Sequence, residues 1–363
     1  MKFSIIVIGY NQQDVICGAI ESALGQSYQD LEVIYVDDAS TDDSIARIEQ
    51  RFSDCRLHII RSNINQGSSV ARLRGIKAAT GDWCLLVDGD DSLCLNACET
   101  LYKTISERDK EIDIIGFGAN IVCSEAVSKS AERWMKSEAV EPLLGAHNAE
   151  ELLLVQYGTR EKSWILWNKC FNIAVLRAVE ASAKYEIFFR LTDYYLCFLA
   201  CCEGHNYFGI PDQLYNYSYG PGISLRSLEL DGVIRYMTGH KATVLLTEYA
   251  EKQGVLGKYK DCFEAVEQES FFFSIDRINK LPETDQSEGL KALIDTFGPK
   301  KMLEMLIKEK NLSKEIEYQA QQIQQLQGFR FWIKDRIRTK HPGIYSILKS
   351  VYSMRRLYLK RDF

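Results

Sequence analysis

Three aspartates stand close together behind an apolar run. Residues 83–87 have the length and composition of a strand buried on both faces, and Asp88, Asp90 and Asp91 follow it directly. Such carboxylates repel one another beside a buried strand unless a cation neutralises them. Gly89 lets the chain turn so that alternate carboxylates face one point. Hard oxygen donors at this spacing suit Mg²⁺ or Mn²⁺ held with a diphosphate, although a solvated loop that only caps the next helix explains the same residues.

The elements around these aspartates predict an α/β domain built on a parallel sheet. Strands are predicted at residues 3–8, 31–36, 57–60 and 83–87, with single helices between them. In such a sheet, ligands bind beyond the carboxyl ends of the strands. Polar clusters stand at three of those ends: Tyr10 with Asn11, Asp37 with Asp38, and residues 88–91. We therefore predict a nucleotide-sized acidic pocket, and the glycines match neither a dinucleotide fingerprint nor a P-loop.

These motifs, taken together and in order, resemble the family 2 glycosyltransferases. The resemblance is carried by residues 4–11, 36–42, 65–67, 71–72, 79–81 and 87–91, and it extends over residues 1–225. It implies the GT-A fold of enzymes that use nucleotide-diphospho-sugars, a Rossmann-like α/β domain with a mainly parallel sheet. It also implies an inverting sugar transfer of the kind that builds bacterial surface polysaccharides.

Chemistry and the family pattern assign the nucleotide contacts to the first polar clusters. The Tyr10 ring can stack on a pyrimidine, with Asn11 beside it, and Asp38 can accept the imide N–H of uracil, which cytosine lacks. Arg72, with Arg74 as its rival, is expected to meet the diphosphate oxygens. The competing interpretations are a core aromatic for Tyr10 and a solvated helix face for the arginines.

The resemblance also divides the acidic turn between donor and metal. Asp88 is expected to hold the ribose or a metal-bound water, with Gly89 beside it. Asp90 is expected to be the direct metal ligand, with Asp91 assisting. The implied cofactor is Mn²⁺ or Mg²⁺, and the implied donor is a UDP-sugar.

A second stretch, which begins at Glu186, is expected to supply the catalytic base. The family commonly has Glu-Asp before an apolar helix here; Thr192 replaces the Glu, and Asp193 remains. An inverting transfer needs one carboxylate to take the proton of the attacking acceptor hydroxyl, and Asp193 fits this role, with Glu186 as the next candidate. The alternative is an ordinary aspartate in the first turn of a helix.

The acceptor side carries weaker signals. Trp167 and Lys169 match the W-x-K element of many family members, either as substrate contacts or as a core tryptophan with a surface lysine. Residues 215–217 and 222–224 resemble the end of the catalytic domain, where a loop covers the donor. None of these residues identifies the acceptor.

The resemblance and a change in periodicity divide the chain into four parts. These are a catalytic domain over 1–225 (the nucleotide-sugar side 1–110 and the acceptor side 111–225), a helical region over 226–310, a short segment over 311–328 and a basic amphipathic tail over 329–363. The short segment has a heptad seam formed by Leu312, Ile316, Gln319, Ile323 and Leu326. This seam predicts either a coiled-coil homodimer or a plain connecting helix.

The tail differs from the body in charge. It holds ten Lys or Arg and two Asp, a charge of +8, so the remaining 328 residues carry −14 of the overall −6. Aromatic and aliphatic residues interleave with the basic ones, which is typical of an interfacial helix on anionic lipid. An acidic body without a known binding module disfavours nucleic acid as a partner.

Composition predicts a cytoplasmic protein that is peripheral on the inner face of the cell membrane. The eleven cysteines are scattered without zinc spacing, which fits a reducing cytosol. No apolar run approaches the length of a membrane span, and the first residues do not have the pattern of a signal peptide.

The sequence therefore predicts a metal-dependent inverting glycosyltransferase that moves a sugar from a UDP-sugar to a hydroxyl of a glycan or a lipid-linked acceptor. A sugar-1-phosphate nucleotidyltransferase is the second candidate, although it needs a Gly-rich, basic signature near the N-terminus that is missing here. A non-catalytic nucleotide-binding scaffold is the third, prompted by Thr192 and the heptad seam.

Overall fold

A computed structural model describes residues 1–108, 111–123, 141–219 and 229–309 of the 363-residue chain. The chain divides into two compact units, Met1–Thr296 and Phe297–Phe363. The second unit is described over 297–309, where a helix runs from 299 to 309. The predicted heptad seam, the basic tail and the loop at 222–224 lie outside the described residues.

Nine strands of the first unit form one mixed sheet. They are β1 Phe3–Gly9, β2 Leu31–Asp37, β3 Leu57–Arg61, β4 Trp83–Asp88, β5 Ser92–Leu93, β6 Ile114–Cys123, β7 Gly145–Asn148, β8 Lys169–Asn172 and β9 Asn206–Tyr219. Their order is β3-β2-β1-β4-β8-β6-β9-β5, and β7 pairs with β9. The strands β1 to β4 are parallel, as predicted, whereas β8 runs antiparallel to both β4 and β6. The prediction of an α/β fold with a mainly parallel sheet is confirmed.

Helices connect and cover these strands. They are α1 Ile16–Leu24, α2 Ser44–Arg51, α3 Ser68–Ala78, α4 Ala97–Ser106, α5 Ala149–Leu153 (continued by a π-helical turn, Leu154–Gly158), α6 Ile173–Ser182, α7 Thr192–Glu203, α8 Leu230–Met237, α9 His240–Lys252, α10 Leu256–Asn279 and α11 Glu283–Phe297. No helix among the described residues has both the length and the apolarity needed to cross a lipid bilayer.

Two apolar clusters cover the two faces of the sheet. Side chains alternate along a strand, so Ile5 and Val7 of β1 pack in the cluster with α1 and α4, and Ile6 and Ile8 pack in the cluster with α3 and α7. Every residue of β1 is buried, which explains its mostly apolar sequence; the one polar side chain, Ser4, donates to Glu32 (2.6 Å). Residues of α9 and α10 belong to the second of these clusters, so the helical region packs on the same side of the sheet as α7.

Candidate functional site

The register of the parallel strands brings the predicted polar clusters to one edge. Gly9 at the end of β1 pairs with Asp37 of β2, and Ile8 pairs with Asp88 of β4. The turns that follow β1, β2 and β4 therefore begin side by side. The three predicted polar clusters therefore lie at one edge of the sheet.

Asn11 ties the first two of these turns together. Its backbone has a positive φ of 52°, its N–H donates to Ser40 Oγ (2.9 Å), and its Oδ1 accepts from Thr41 N (2.8 Å). Asparagine tolerates this left-handed conformation better than most residues. Tyr10, the preceding residue, is half-buried. It lies in the same loop, whose conformation the hydrogen bonds of Asn11 stabilise.

Asp38 is buried and holds the turn before α3. Its carboxylate accepts hydrogen bonds from Gln66 N (3.0 Å) and Gly67 N (2.7 Å), and only 4% of the residue is exposed. Burial raises the pKa of this carboxyl group, against the two backbone N–H groups that lower it. The sequence alone gave no sign of these backbone partners, since they come from a turn on another segment.

Arg72 is the centre of the site. Its guanidinium, 3% exposed, binds Asp88 through Nη2 (2.6 Å to Oδ1) and Asp193 through Nη1 (2.9 Å to Oδ1). Burial by itself lowers the pKa of Arg72, but the two carboxylates outweigh it and raise the pKa, so the side chain is charged. Its Nε is buried without a hydrogen-bond partner among the described residues. The rival, Arg74, instead binds Ser62 and Gln66.

The three aspartates of the acidic turn differ in their exposure to solvent. The Asp88 side chain is 30% exposed and Asp90 is exposed, whereas Asp91 is only 4% exposed. Both oxygens of Asp91 accept protein hydrogen bonds, one from Tyr215 Oη (2.8 Å) and one from Ser218 N (2.7 Å). This placement differs from the metal-assisting role predicted for Asp91, because its oxygens hold β9 against the turn.

Tyr215 joins the two ends of the same turn. Its hydroxyl donates to Asp91 and accepts from Asp88 N (3.1 Å). The predicted residue Trp167 stacks on Tyr215 at 4.6 Å and on Tyr217 at 4.8 Å between ring centres. Trp167 therefore packs against the tyrosine that binds the acidic turn. In the sequence, the Tyr-Asn-Tyr alternation at 215–217 is the pattern that points to both tyrosines.

Gly89 is required by a close approach. A Cβ atom at this position would lie 2.2 Å from Gln12 Oε1 and 2.8 Å from Ile8 O. The sequence predicts that glycine is needed here for an unusual turn conformation. The structure shows instead that glycine is needed because the loop after β1 lies too close for a side chain. Gln12 Oε1 itself is buried and has no hydrogen-bond partner among the described residues, so it is an acceptor available at this edge.

Asp193 lies in the first turn of α7. Its Oδ2 accepts from Leu166 N (3.3 Å) while its Oδ1 binds Arg72, and 24% of its side chain is exposed. Thr192, beside it, accepts from Ser68 Oγ (2.8 Å) and lies 3.4 Å from Arg72 Nη1. The threonine thus joins the starts of α3 and α7 where the family commonly has a glutamate.

Two other predicted residues lie away from this centre. Lys169 is 3% exposed and donates to Asn168 Oδ1 (2.9 Å) and to Ile165 O, which makes it a core residue of the W-x-K element. Glu186, the second candidate for the base, is exposed and pairs with Lys241 at 3.6 Å.

The donor set fits a hard divalent cation bound together with a diphosphate. Asp88 and Asp90 offer carboxylate oxygens that reach solvent, and no group of three or more His, Cys, Asp or Glu in the described ranges forms a complete metal cluster. Burial, with Asp193 and Asp90, raises the pKa of Asp88 to about 6 although Arg72 opposes it, and burial raises that of Asp91 to about 8. Arg72 is a single positive charge shared by Asp88 and Asp193, so a bound cation would compensate the remaining negative charge of these carboxylates.

Comparisons with known proteins bear on the family and the fold of the chain. The family model described as Glycosyl transferase family 2 matches residues 4–187, about half of the chain. The chain is 35% identical over 113 residues to the glycosyltransferase GlyG of Streptococcus pneumoniae serotype 4, which covers 31% of this chain and 37% of that protein.

A second relative has a fully described reaction in its name. The UDP-Glc:alpha-D-GlcNAc-diphosphoundecaprenol beta-1,3-glucosyltransferase WfaP of Escherichia coli is 40% identical over 88 residues, 24% of this chain and 35% of WfaP. The chain therefore spans little more than a third of the length of these curated relatives.

A solved structure covers more of the molecule. The crystal structure of S. aureus TarS in complex with UDP-GlcNAc matches 82% of this chain and 90% of that chain, with a TM-score of 0.51 and 19% identity. At this level of identity the likeness concerns the fold, and it agrees with the GT-A architecture.

Proposed function

Because the chain belongs to glycosyl transferase family 2, we propose that it transfers a sugar from a UDP-sugar, with inversion, to a hydroxyl of a glycan or a lipid-linked acceptor. One observation carries this proposal. Arg72 holds Asp88, at the nucleotide edge, and Asp193, at the start of α7, on a single buried guanidinium. The two halves of a transfer site, donor and acceptor, meet there.

The donor is proposed to be a UDP-sugar. TarS, which shares the fold, has been crystallised with UDP and with UDP-GlcNAc. Tyr10 is the proposed stacking partner of the base, and the buried Gln12 Oε1 is an acceptor that can take an N–H. The Asp38 carboxylate, proposed for the same role, already accepts from Gln66 N and Gly67 N. Arg72 is proposed to supply positive charge on the diphosphate side of the site, with its two Nη atoms bound to Asp88 and Asp193.

Asp88 and Asp90 are the proposed holders of Mn²⁺ or Mg²⁺. When bound, such an ion neutralises the negative charge that develops on the departing diphosphate. Asp91 supports the ligands by fixing their turn to Tyr215 and Ser218. Gly89 keeps the turn pressed against the loop after β1.

Asp193 is the proposed catalytic base. It takes the proton of the acceptor hydroxyl as that oxygen bonds to the anomeric carbon, and the bond from this carbon to the diphosphate breaks. The donation from Leu166 N and the contact with Arg72 fix both carboxylate oxygens in place. A fixed base needs little reorganisation in the transition state.

The acceptor and the location follow from the relatives and the tail. WfaP acts on a diphosphoundecaprenol-linked sugar, as its name states, and the tail over 329–363 carries +8. We therefore propose a lipid-linked acceptor in polysaccharide synthesis, met at the cytoplasmic face of the membrane through the tail. A homodimer through the heptad seam is part of the same proposal.

The decisive experiment is turnover of Asp193→Asn, measured as UDP release from a panel of UDP-sugars with Mn²⁺. The substitution keeps the shape but removes the proton acceptor, so kcat should fall by roughly 10²–10⁴-fold while UDP binding is unchanged. Asp212→Asn, at an exposed aspartate of β9, is the matched control. Release of pyrophosphate from UTP would instead indicate a nucleotidyltransferase, and release of neither product would indicate a scaffold.

A further inference from the structure

The segment from Glu186 to Leu191 connects the base to the nucleotide edge. Phe188 is fully buried, and a Cβ at Gly67 would lie 2.6 Å from the Phe188 carbonyl oxygen. Leu191 precedes α7 with a positive φ of 61°, a conformation that costs a non-glycine residue free energy. Its carbonyl accepts the first helical hydrogen bond of α7, from Tyr195 N (3.0 Å). The segment is thus strained and must be held from outside.

The helical region that follows the catalytic sheet supplies the holding contacts. Phe189 N donates to Thr238 Oγ1 (3.0 Å), and Lys241 Nζ donates to the Ile187 carbonyl (3.2 Å). At Gly239 the backbone approaches so closely that an added Cβ would lie 3.1 Å from Cβ of Arg190. Residues of α8, α9 and the turn between them therefore line one side of the segment.

Arg190 contacts the helical region through its guanidinium, which lies over two aromatic rings. Its Cζ lies 3.8 Å from the centre of the Tyr236 ring and 5.1 Å from that of Phe273. The two rings stack on each other at 4.4 Å and an interplanar angle of 20°. A guanidinium at this distance from an aromatic face is in cation–π range, and the interaction strengthens where water is excluded.

This anchor does not depend on a carboxylate. Glu269, which favours the charged form of Arg190, is itself bound by both Nη atoms of Arg160, at 2.8 and 3.0 Å. Burial, together with the charge of Arg277, lowers the pKa of Arg190 to about 10, so the guanidinium remains charged at neutral pH. The contacts with the two rings stabilise this cation, and the Arg277 guanidinium lies near the same rings, with its Cζ 5.3 Å from the centre of Tyr236 and 4.9 Å from that of Phe273.

We propose that Arg190 is a positioning residue for Asp193. Its stacking on Tyr236 and Phe273 fixes the segment 186–191, and through that segment the first turn of α7, so that Asp193 keeps its contact with Arg72. The helical region thereby becomes part of the transfer machinery through its contacts with this segment. This inference rests on the proposed function, because it takes Asp193 as the base.

The geometry explains why a small shift matters. Two residues, Leu191 and Thr192, separate Arg190 from Asp193. The Asp193 carboxylate accepts from Leu166 N at 3.3 Å and from Thr192 Oγ1 at 3.5 Å, and it contacts Arg72 at 2.9 Å. A displacement of about 1 Å at a reacting group can cost 10²-fold in rate. The contacts described for Arg190 are with Tyr236, Gly239 and Phe273 of the helical region, whereas the proposed donor contacts lie on the turns after β1, β2 and β4.

The test compares variants that keep or remove the stacking. Arg190→Ala removes the cation, and Arg190→Lys keeps the charge without the planar group. Tyr236→Leu removes the ring, and Tyr236→Phe is the matched control, because the Tyr236 hydroxyl is buried without a hydrogen-bond partner among the described residues. All variants are made in the full chain. Tyr236→Leu removes the same contact from the other side, so it still tests the inference if Arg190→Ala fails to fold.

Three readouts separate positioning from general destabilisation. We expect Arg190→Ala and Tyr236→Leu to lower kcat for UDP release by about tenfold to a hundredfold, with the Kd for Mn²⁺-UDP within about twofold of the unmodified protein. Arg190→Lys should recover part of the rate, and Tyr236→Phe should equal the unmodified protein. Amide hydrogen exchange should increase over residues 186–196 and stay unchanged in β1 to β4.

Two results would overturn the inference. The first is normal kcat in Arg190→Ala and Tyr236→Leu while Asp193→Asn loses turnover. The second is a loss of kcat, Mn²⁺-UDP affinity and exchange protection together across the sheet, which would make Arg190 a general stability residue. If Asp193→Asn itself keeps normal turnover, the proposed base is wrong, and this outcome is distinct from both.

Discussion

Asp88 and Asp193 lie on opposite sides of one buried guanidinium. Arg72 reaches Asp88 Oδ1 at 2.6 Å and Asp193 Oδ1 at 2.9 Å, and the arginine is 3% exposed. Either carboxylate alone could neutralise this arginine, so the second brings excess negative charge into the site. One guanidinium therefore leaves net negative charge between Asp88 and Asp193, which a bound cation would offset.

Removal of this guanidinium should be strongly destabilising. We expect Arg72→Met to lower the free energy of unfolding by about 3–5 kcal/mol, because it leaves two carboxylates without their buried partner. The loss should be smaller in an Asp88→Asn background, where one of those charges is already absent. Urea denaturation of the four proteins of this cycle measures the coupling, and a value below about 0.5 kcal/mol would show that the two residues act independently.

Metal-dependent donor binding should require Asp90. Asp90→Ala removes an exposed carboxylate from the acidic turn and breaks none of the hydrogen bonds that hold the turn. Calorimetry should therefore show that Mn²⁺-dependent UDP binding is lost while the melting temperature is kept. Asp43→Ala, at the exposed start of α2, is the control. Equal UDP affinity with Mn²⁺ and with a chelator would remove the metal from the proposal.

Glu32 should set part of the acid sensitivity of the fold. It is 4% exposed; burial alone would raise its pKa, but hydrogen bonds from Lys2, Ser4 and Thr80 outweigh burial and lower the pKa to about 2. A depressed carboxyl pKa stabilises the folded state above the unfolded pKa of 4.5, and this contribution is lost as the pH falls from there toward 2.

Glu32→Gln should therefore cost about 3 kcal/mol at pH 7 and progressively less below pH 4.5. Urea unfolding at several pH values measures this. Glu21→Gln is the control, because its ion pair with Arg51 is solvent-exposed and should contribute less than about 1 kcal/mol. A pH-independent difference between Glu32→Gln and the unmodified protein would contradict the argument.

The basic tail should bind anionic membranes. Each Lys or Arg near an anionic surface contributes ~1 kcal/mol, and the aromatic and aliphatic residues add burial at the headgroup boundary. Deletion of everything after Gln327 should leave donor hydrolysis intact and abolish sedimentation with phosphatidylserine vesicles. Raised salt should release the intact protein only in part, because the apolar contribution is not screened. The idea is falsified if the full chain ignores these vesicles at low salt.

The parallel half of the sheet could be predicted because its signals are local. The strand residues 3–8 and 83–87 are apolar on both faces, and their ends carry the polar clusters that the register then aligns. Asp88 stands out because it follows a strongly apolar strand, whereas Asp193 is assigned through the resemblance to family 2 glycosyltransferases. Periodicity and composition determine such features without information from distant segments.

The partners of these residues could not be predicted. That Asp38 would bind Gln66 and Gly67, and that Asp91 would bind Tyr215, depends on segments brought together only by the tertiary fold. A carboxylate that binds a metal and one that holds a turn have the same local sequence. The difference lies in the donors that surround them, which periodicity does not encode.

The strand order also sets the sequence in which the site can assemble on the ribosome. The strands β1 to β4 pair with one another through short crossovers, so Arg72 and Asp88 can bind each other early in translation. Insertion of β8 between β4 and β6, and the formation of α7 with Asp193, must wait for residues that are made much later. A nascent chain thus contains Arg72 and the acidic turn before α7, so the proposed base Asp193 is the last of these residues to join the site.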